Sequence, residues 1–223
     1  MKTIRLFFLV YILCCFNSLF AQEEMGNGLL LPQFEKGEVV FKNGARNSAL
    51  LNYSLSQQEM LFKDADDAIM ALADPTEVLV VIIGERRFFP ISSKGIFYEE
   101  VQAGNGSFFV QHKAIMLSEG KASAYGGYSQ TSAITSYESL SGSSYGTIYK
   151  LNPDEKFKLK NENFYYILSG KSYKKFNSAK SLGKLFKGQE AKIEAFAKEN
   201  SVNFSKINDI TRVVEYGYSL PSK

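Results

Sequence analysis

Cysteine and histidine are nearly absent from this chain. Its two cysteines, Cys14 and Cys15, both lie in the first 21 residues, and His112 is the one histidine. Without those first residues the chain can form neither a disulfide nor a thiolate metal site, and sites that need several imidazoles are excluded in any case. A small disulfide scaffold is therefore excluded, and the fold must be stabilised by burial of Phe, Tyr, Leu, Ile and Val side chains.

Long apolar runs are also missing once the first 21 residues are set aside. That N-terminal segment begins with the positive side chains Lys2 and Arg5, continues with an apolar core over 6–16 and ends in the small residue Ala21. This is the layout of a secretory signal peptide, too short and wrongly flanked for a stable membrane anchor. We therefore expect cleavage of 1–21, no later transmembrane segment, and a periplasmic, outer-membrane-associated or extracellular location.

Short apolar runs separated by Gly, Asn and Pro turns favour an antiparallel sheet. Residues 22–36 form an expected irregular lead-in, and the β-rich domain is expected over 37–176, with a hairpin at Asn43-Gly44. An acidic connection over 64–73 is expected to hold at most one or two helical turns. No expected strand is followed by a helix of crossover length, so a parallel sheet is not expected. The pattern predicts an antiparallel β meander, either a sandwich or a partly open barrel.

The apolar spacing changes from two to three and four in the C-terminal region, 177–223. This predicts a cluster of about three short helices, the first capped by Asn177 or Ser178, the second over about 189–200 and the third starting near Asn208. Because their apolar faces need a partner surface, we expect this helical subregion to pack on the same domain. The fold class is therefore predicted to be α+β.

Three stretches of the chain carry a family resemblance. They read KGEVVFKNG…LLNYSLSQQEMLF, FFVQHK…AYGGYSQTS and KKFNSAKSLGKLFKG…IEAFAKENSVNF. In these stretches the chain resembles an uncharacterised family of exported proteins from Bacteroidetes-type Gram-negative bacteria. The resemblance implies export and a single folded unit, and it transfers no active site because no chemistry is assigned to these motifs.

Motifs for catalysis are weak. His112 lies in an expected long strand over 108–117, where a lone histidine is usually structural or surface-exposed. The tripeptide 170–172, Gly-Lys-Ser, resembles the end of a phosphate-binding loop but lies between two expected strands, as a hairpin turn would. Glu99 and Glu100 would point to opposite faces of a regular strand and make a poor pair for hydrolysis. The sequence therefore names no catalytic residue, and neither a cofactor nor a metal ion is expected.

A segment rich in Ser, Tyr and Gly, residues 118–147, suits recognition of a ligand. Tyrosine combines a flat apolar ring with a hydroxyl on few rotatable bonds, which fits binding of glycans or proteins. The candidate ligand-binding residues are Tyr125, Tyr128, Tyr137 and Tyr145. The alternative is a surface loop or hairpin whose tyrosines pack on the sheet.

Charge is unevenly distributed along the chain. Residues 22–149 carry a net charge of −6 and residues 150–223 a net charge of +7, and 156–187 holds nine lysines against the single acid Glu162. Such asymmetry can indicate an anionic partner. The candidate contact residues are Lys156, Lys158, Lys160, Lys174 and Lys175. The alternative is that these lysines form the solvated side of strands whose other side is buried.

These observations predict an exported, non-enzymatic binding or interaction protein of the cell envelope. An envelope protein or a glycan is the expected partner, and nucleic acid is not expected. Two alternatives remain open at this level. One is a carboxylate-based hydrolase of envelope or extracellular polymers, and the other is a structural subunit of an envelope assembly.

Overall fold

A computed structural model of the chain describes residues 28–91, 95–118, 121–122, 128–129 and 157–221. Within these residues the chain forms fourteen strands and three α-helices. The strands are β1 (Glu35–Phe41), β2 (Arg46–Tyr53), β3 (Met60–Lys63), β4 (Ile69–Ala71), β5 (Val78–Ile83), β6 (Arg86–Pro90), β7 (Phe97–Ala103), β8 (Gly106–Gln111), β9 (Ala114–Ser118), β10 (Lys121–Ala122), β11 (Tyr128–Ser129), β12 (Phe157–Asn161), β13 (Phe164–Ser169) and β14 (Ser172–Phe176). The helices are α1 (Ala179–Gly183), α2 (Glu190–Glu199) and α3 (Ile207–Ser219).

Ten of these strands hydrogen-bond into one open antiparallel sheet in the order β14-β13-β8-β7-β6-β5-β1-β2-β3-β4. The order contains two meanders, β1 to β4 and β5 to β8, which join where β5 pairs with β1. Strand β13 then adds beside β8, so that β14 and β4 are the two edges. The predicted α+β class, with an antiparallel sheet and C-terminal helices, is confirmed.

Glycine-containing turns explain why successive strands pair. Ser169 and Ser172 face each other across the two-residue loop 170–171, and Gly170 has a φ of 61°. A two-residue loop whose glycine adopts a positive φ matches the right-handed twist of paired strands. The hairpin interpretation of the Gly-Lys-Ser tripeptide is therefore confirmed.

The connection over 64–73 differs from the expectation of a helical turn, because it contains the edge strand β4. The Asp64 carboxylate accepts hydrogen bonds from the amides of Asp66 and Ala68, each at 2.9 Å, and Asp67 has a φ of 61°. An aspartate that binds nearby amides in this way stabilises a tight turn rather than a helix. The chain therefore reverses here and β4 pairs with β3.

The expected long strand over 108–117 is divided into β8 and β9 by a break at 112–113. Gln111 pairs with Phe164 before the break, and Ala114 pairs with Asn161 after it, so the register is preserved. Strands β8, β9, β12 and β13 thus form one two-stranded ribbon whose β9–β12 part lies outside the ten-stranded sheet. The Ala114 amide donates to the Leu55 carbonyl at 3.0 Å, which fixes the base of the ribbon to the β2–β3 connection.

Two hydrophobic cores stabilise the fold. The first lies between the helices and one face of β7, β8, β13 and β14, and its buried members include Val110, Phe176, Ile193, Ile210 and Val214. The second lies within the β1–β7 part of the sheet. There Tyr53 and Phe88 have ring centroids 6.2 Å apart although three strand spacings of about 4.8 Å separate their strands. This part of the sheet therefore curls around its own core.

Capping and apolar spacing define the three helices. The Ser178 side chain accepts a hydrogen bond from the Ser181 amide at 3.3 Å, and the Ser181 side chain accepts one from the Ser178 amide at 3.0 Å. This reciprocal cap begins α1 at the position that the sequence predicts. Helix α3 is fixed to the sheet by the Tyr218 hydroxyl, which donates to the Ser107 carbonyl at 2.8 Å.

Candidate binding site on the outer face of the sheet

Four neighbouring strands each contain two adjacent aromatic residues. These pairs are Phe88-Phe89 in β6, Phe97-Tyr98 in β7, Phe108-Phe109 in β8 and Tyr165-Tyr166 in β13. Because successive side chains of a strand point to opposite faces, each pair places one ring in a core and one on the other face of the sheet. The first ring of each pair is at most 3 % exposed.

The second rings lie on the side of the sheet that faces away from the helices, which we call the outer face. Phe164 and Tyr173 share this side, since their strand positions alternate with the buried Tyr165 and Phe176. The outer aromatic face consists of Phe89, Tyr98, Phe109, Phe164, Tyr166 and Tyr173.

The rings of the outer aromatic face contact one another across the strands. Tyr98 stacks on Tyr166 with ring centroids 4.7 Å apart. Tyr173 meets Tyr98 and Phe109 edge-on at 5.8 and 4.9 Å, and Phe89 meets Phe109 at 6.2 Å. Phe109 in the centre is 5 % exposed, whereas the other five rings are half-buried. Ring contacts therefore connect five of the six rings into a layer whose outer side reaches solvent.

Polar groups surround this layer. Burial, followed by a hydrogen bond with Tyr166, raises the pKa of Tyr98, and burial also raises the pKa of Tyr173. These hydroxyls consequently remain protonated at neutral pH. The Tyr166 hydroxyl donates to Gln111 Oε1 at 2.9 Å, and Gln111 Nε2 donates to Gln58 Oε1 at 2.6 Å. The layer thus offers apolar ring surface beside hydrogen-bonding groups.

Charged side chains flank the rings. Arg87 Nη1 donates to Glu100 Oε2 at 3.0 Å, and its guanidinium lies 5.2 Å from the Phe89 ring centroid. The Lys175 ammonium lies 3.5 Å from the Phe164 ring centroid. The one carboxylate among these groups is paired with Arg87, so the charge that remains here is positive.

A second charged cluster lies on the opposite face and is buried. Glu99, which is 7 % exposed, accepts hydrogen bonds from Arg86 Nε at 2.6 Å and Nη2 at 2.8 Å, and His112 Nε2 lies 2.5 Å from its Oε2. Burial raises the pKa of Glu99, but the hydrogen bonds with Arg86 and His112 outweigh this and lower the pKa to about 2. Both carboxylate oxygens are occupied, which suits a structural role rather than acid–base chemistry.

The alternation predicted for the two neighbouring glutamates is confirmed. Glu99 faces His112, while Glu100 faces Arg87 on the outer side. Their carboxylates therefore do not form the close pair that glycoside hydrolysis requires.

The candidate tyrosines of the Ser/Tyr/Gly-rich segment fall mostly outside the described residues. Tyr125, Tyr137 and Tyr145 lie outside them, whereas Tyr128 begins β11 and pairs with Ala122 of β10. Their proposed role in ligand binding stays a prediction.

The candidate lysines are distributed over two elements. Lys156 lies outside the described residues, and Lys158 belongs to β12, where it pairs with Leu117. Lys160 is exposed and lies 3.7 Å from Glu162. Lys174 and Lys175 are both exposed on the edge strand β14, apart from the ribbon, and their side chains point to opposite faces of the sheet.

Sequence reasoning missed the outer aromatic face, although a signal for it was present. A pair of adjacent aromatic residues in a strand places a ring on each face, and such pairs occur in four strands. The cluster of Arg86, Glu99 and His112 had no comparable signal, because these residues come from three different parts of the chain.

No protein-family model matches this chain, and no match was found among curated proteins or among solved structures. In the part of the chain that the structure describes, no helix is long and apolar enough to cross a membrane. The same described residues contain no group of three or more His, Cys, Asp or Glu side chains placed to hold a metal ion.

Proposed function

We propose that this chain is an exported, non-enzymatic binding protein of the cell envelope, and that its outer aromatic face binds a glycan. The observation that supports this is the group of six aromatic rings, five of them in ring contact, on the sheet face away from the helices. The C–H groups of a sugar ring can pack against the exposed parts of these rings and bury apolar surface. The tyrosine hydroxyls add hydrogen-bonding groups for the hydroxyl groups of the sugar.

A binding role agrees with the state of the carboxylates better than hydrolysis does. Glu99 is held by Arg86 and His112, and Glu100 accepts hydrogen bonds from Arg87 and from the Ser107 hydroxyl at 3.2 Å. A hydrolase would need one carboxyl group free to donate a proton and a second one near it. Neither glutamate is free in this way.

Export is supported by the N-terminal segment 1–21 alone. Mass spectrometry of the protein isolated from its native cells tests this part of the proposal. We expect the N-terminus at Gln22 and enrichment in the envelope or culture medium. An intact N-terminus in the cytosolic fraction would contradict it.

Affinity electrophoresis and calorimetry with a panel of polysaccharides test glycan binding. We expect Tyr173→Ala to weaken binding by about tenfold, because a sugar that loses roughly 60 Å² of apolar contact loses about 1.5 kcal/mol. Tyr173 is the suitable target because it lies on the edge strand β14 and its ring contacts the rings of Tyr98 and Phe109.

Tyr216→Ala is the matched control. Tyr216 is also a half-buried, stacked tyrosine, with its ring 4.2 Å from that of Phe196, but it belongs to α3 on the other side of the sheet. Thermal unfolding of both variants separates lost binding from lost folding. Equal loss of affinity in both variants, or no binding to any polysaccharide, would contradict the proposed function.

A further inference from the structure

The edge strand β14 and helix α1 carry a group of lysines that have no acidic neighbours in sequence. Between positions 171 and 187 the chain has six lysines and no aspartate or glutamate. All six are exposed. We call them the lysine edge: Lys171, Lys174, Lys175, Lys180, Lys184 and Lys187.

Four of the five basic residues in β1–β8 have carboxylate partners, the exception being Lys36. Arg46, Lys63, Arg86 and Arg87 each form an ion pair with an acidic side chain. Among the ion pairs of the described residues, none involves a member of the lysine edge. Ion pairs are therefore common among the basic residues of β1–β8 and absent from the lysine edge within the described residues.

Lys175 connects the lysine edge to the outer aromatic face. Lys175 pairs in register with Tyr166, and its ammonium lies 3.5 Å from the Phe164 ring centroid. Tyr173 lies on the same strand, two positions before Lys175. Lys174 alternates with Lys175 and pairs with the buried Ile167, so it lies on the helix side of the sheet, as α1 does. Because β14 is the last strand of the sheet, a chain lying across the rings meets Lys175 first and reaches the other lysines by passing around this edge.

Protection of an open sheet edge explains only part of this charge. Lysines on an edge strand do discourage pairing with other chains, which accounts for Lys174 and Lys175. Edge protection does not account for Lys180, Lys184 and Lys187. These lysines lie in or directly after helix α1, where no strand edge is left unpaired. A surface built for an anionic partner accounts for both groups.

We propose that the ligand of the outer aromatic face is an anionic polysaccharide, whose sugar rings lie on the aromatic residues while its acidic groups contact the lysine edge. This inference rests on the proposed function. A polysaccharide fits better than a nucleic acid because the rings already stack on or abut one another, which leaves no gaps between rings in which bases could stack. In addition, all the basic residues of the lysine edge are lysines. They lack the planar guanidinium group with which arginine makes two hydrogen bonds to one phosphate.

Polygalacturonate and its fully methyl-esterified form are suitable probes, since they share a sugar backbone and differ in charge. With the protein lacking residues 1–21, we expect calorimetry at low ionic strength to give at least about tenfold tighter binding to the acidic polymer. Raising the salt concentration from about 0.05 to 0.5 M should remove most of that difference by screening.

The double variant Lys174→Gln/Lys175→Gln should weaken binding to polygalacturonate by about tenfold and leave binding to the ester nearly unchanged. Lys192→Gln/Lys198→Gln is the matched control, because it removes the same charge from exposed positions of α2. We expect the control to change affinity for either polymer less than about twofold.

The outcomes separate this inference from the function on which it rests. Equal affinity for both polymers would overturn the anionic preference and leave glycan binding intact. No binding to these or other polysaccharides would overturn both. Tighter binding to single-stranded DNA than to polygalacturonate, lost in the Lys174→Gln/Lys175→Gln variant, would overturn the inference in favour of a nucleic acid.

Discussion

Replacing Glu99 with glutamine keeps the shape of a buried side chain and removes the charge that holds Arg86 and His112. The folded-state pKa of about 2, against an ordinary 4.5, corresponds to about 3 kcal/mol of unfolding free energy at about 1.4 kcal/mol per pKa unit. Removing one partner from a buried pair typically costs about 3–5 kcal/mol. Because the Arg86 side chain is 31 % exposed and can turn toward water, we expect the lower value, about 3 kcal/mol at pH 7.

The direction of the pH dependence follows from the lowered pKa. Glu99 is ionised more readily in the folded protein than in the unfolded chain, so its contribution is complete above about pH 4.5 and is lost as the pH falls toward 2. Chemical denaturation followed by circular dichroism at several pH values measures this. The difference in unfolding free energy between wild type and Glu99→Gln should be about 3 kcal/mol at pH 6 and close to zero near pH 2.

Glu100→Gln provides the control, since Glu100 is the next residue but pairs on the outer face with Arg87, whose side chain is 52 % exposed. Such an ion pair contributes at most about 1 kcal/mol. If the two variants lose equal stability, or if the Glu99→Gln difference does not change between pH 6 and 2, the charge of Glu99 does not stabilise the fold.

Two further substitutions test the cores and the N-terminal contact. Asn52 is fully buried, accepts a hydrogen bond from the Leu31 amide at 3.0 Å and donates to the carbonyls of Leu31 and Gln33 at 3.0 and 3.1 Å. Asn52→Ala should cost about 2 kcal/mol and speed amide exchange over 29–33 in hydrogen-exchange mass spectrometry, and unchanged exchange would contradict this. Ile210 of α3 is fully buried, so Ile210→Ala should cost about 3 kcal/mol in denaturation curves, against about 0.5 kcal/mol for exposed Arg212→Ala. Equal losses would mean that α3 does not contribute to the core.

Short-range features of the fold were predictable from the sequence. The hairpin at Gly170-Lys171 follows from the turn residues themselves, and the start of α1 follows from the serine cap at Ser178. Helices α2 and α3 begin within two residues of their predicted positions because their apolar spacing is regular. In each case the deciding contacts join residues only a few positions apart.

Long-range contacts were not predictable in the same way. The pairing of β5 with β1 joins residues about 40 positions apart, and an apolar strand such as β5 can pair equally well with several neighbours. The break at 112–113 occurs where the β2–β3 connection bonds to Ala114. Likewise, nothing in the local pattern around His112 indicates that Glu99 and Arg86 lie beside it.

The sequence by itself determined that the strands are amphipathic, that four of them place an aromatic ring on each face, and that lysines collect over 156–187. It did not determine which face becomes the outer one. Alternation along a strand defines two faces but does not choose between them. That choice was made by the tertiary structure, because α2 and α3 bury Ile193, Ile210 and Val214 against one face and leave the other to solvent. The candidate glycan site exists because the helices cover one aromatic face of this sheet and not the other.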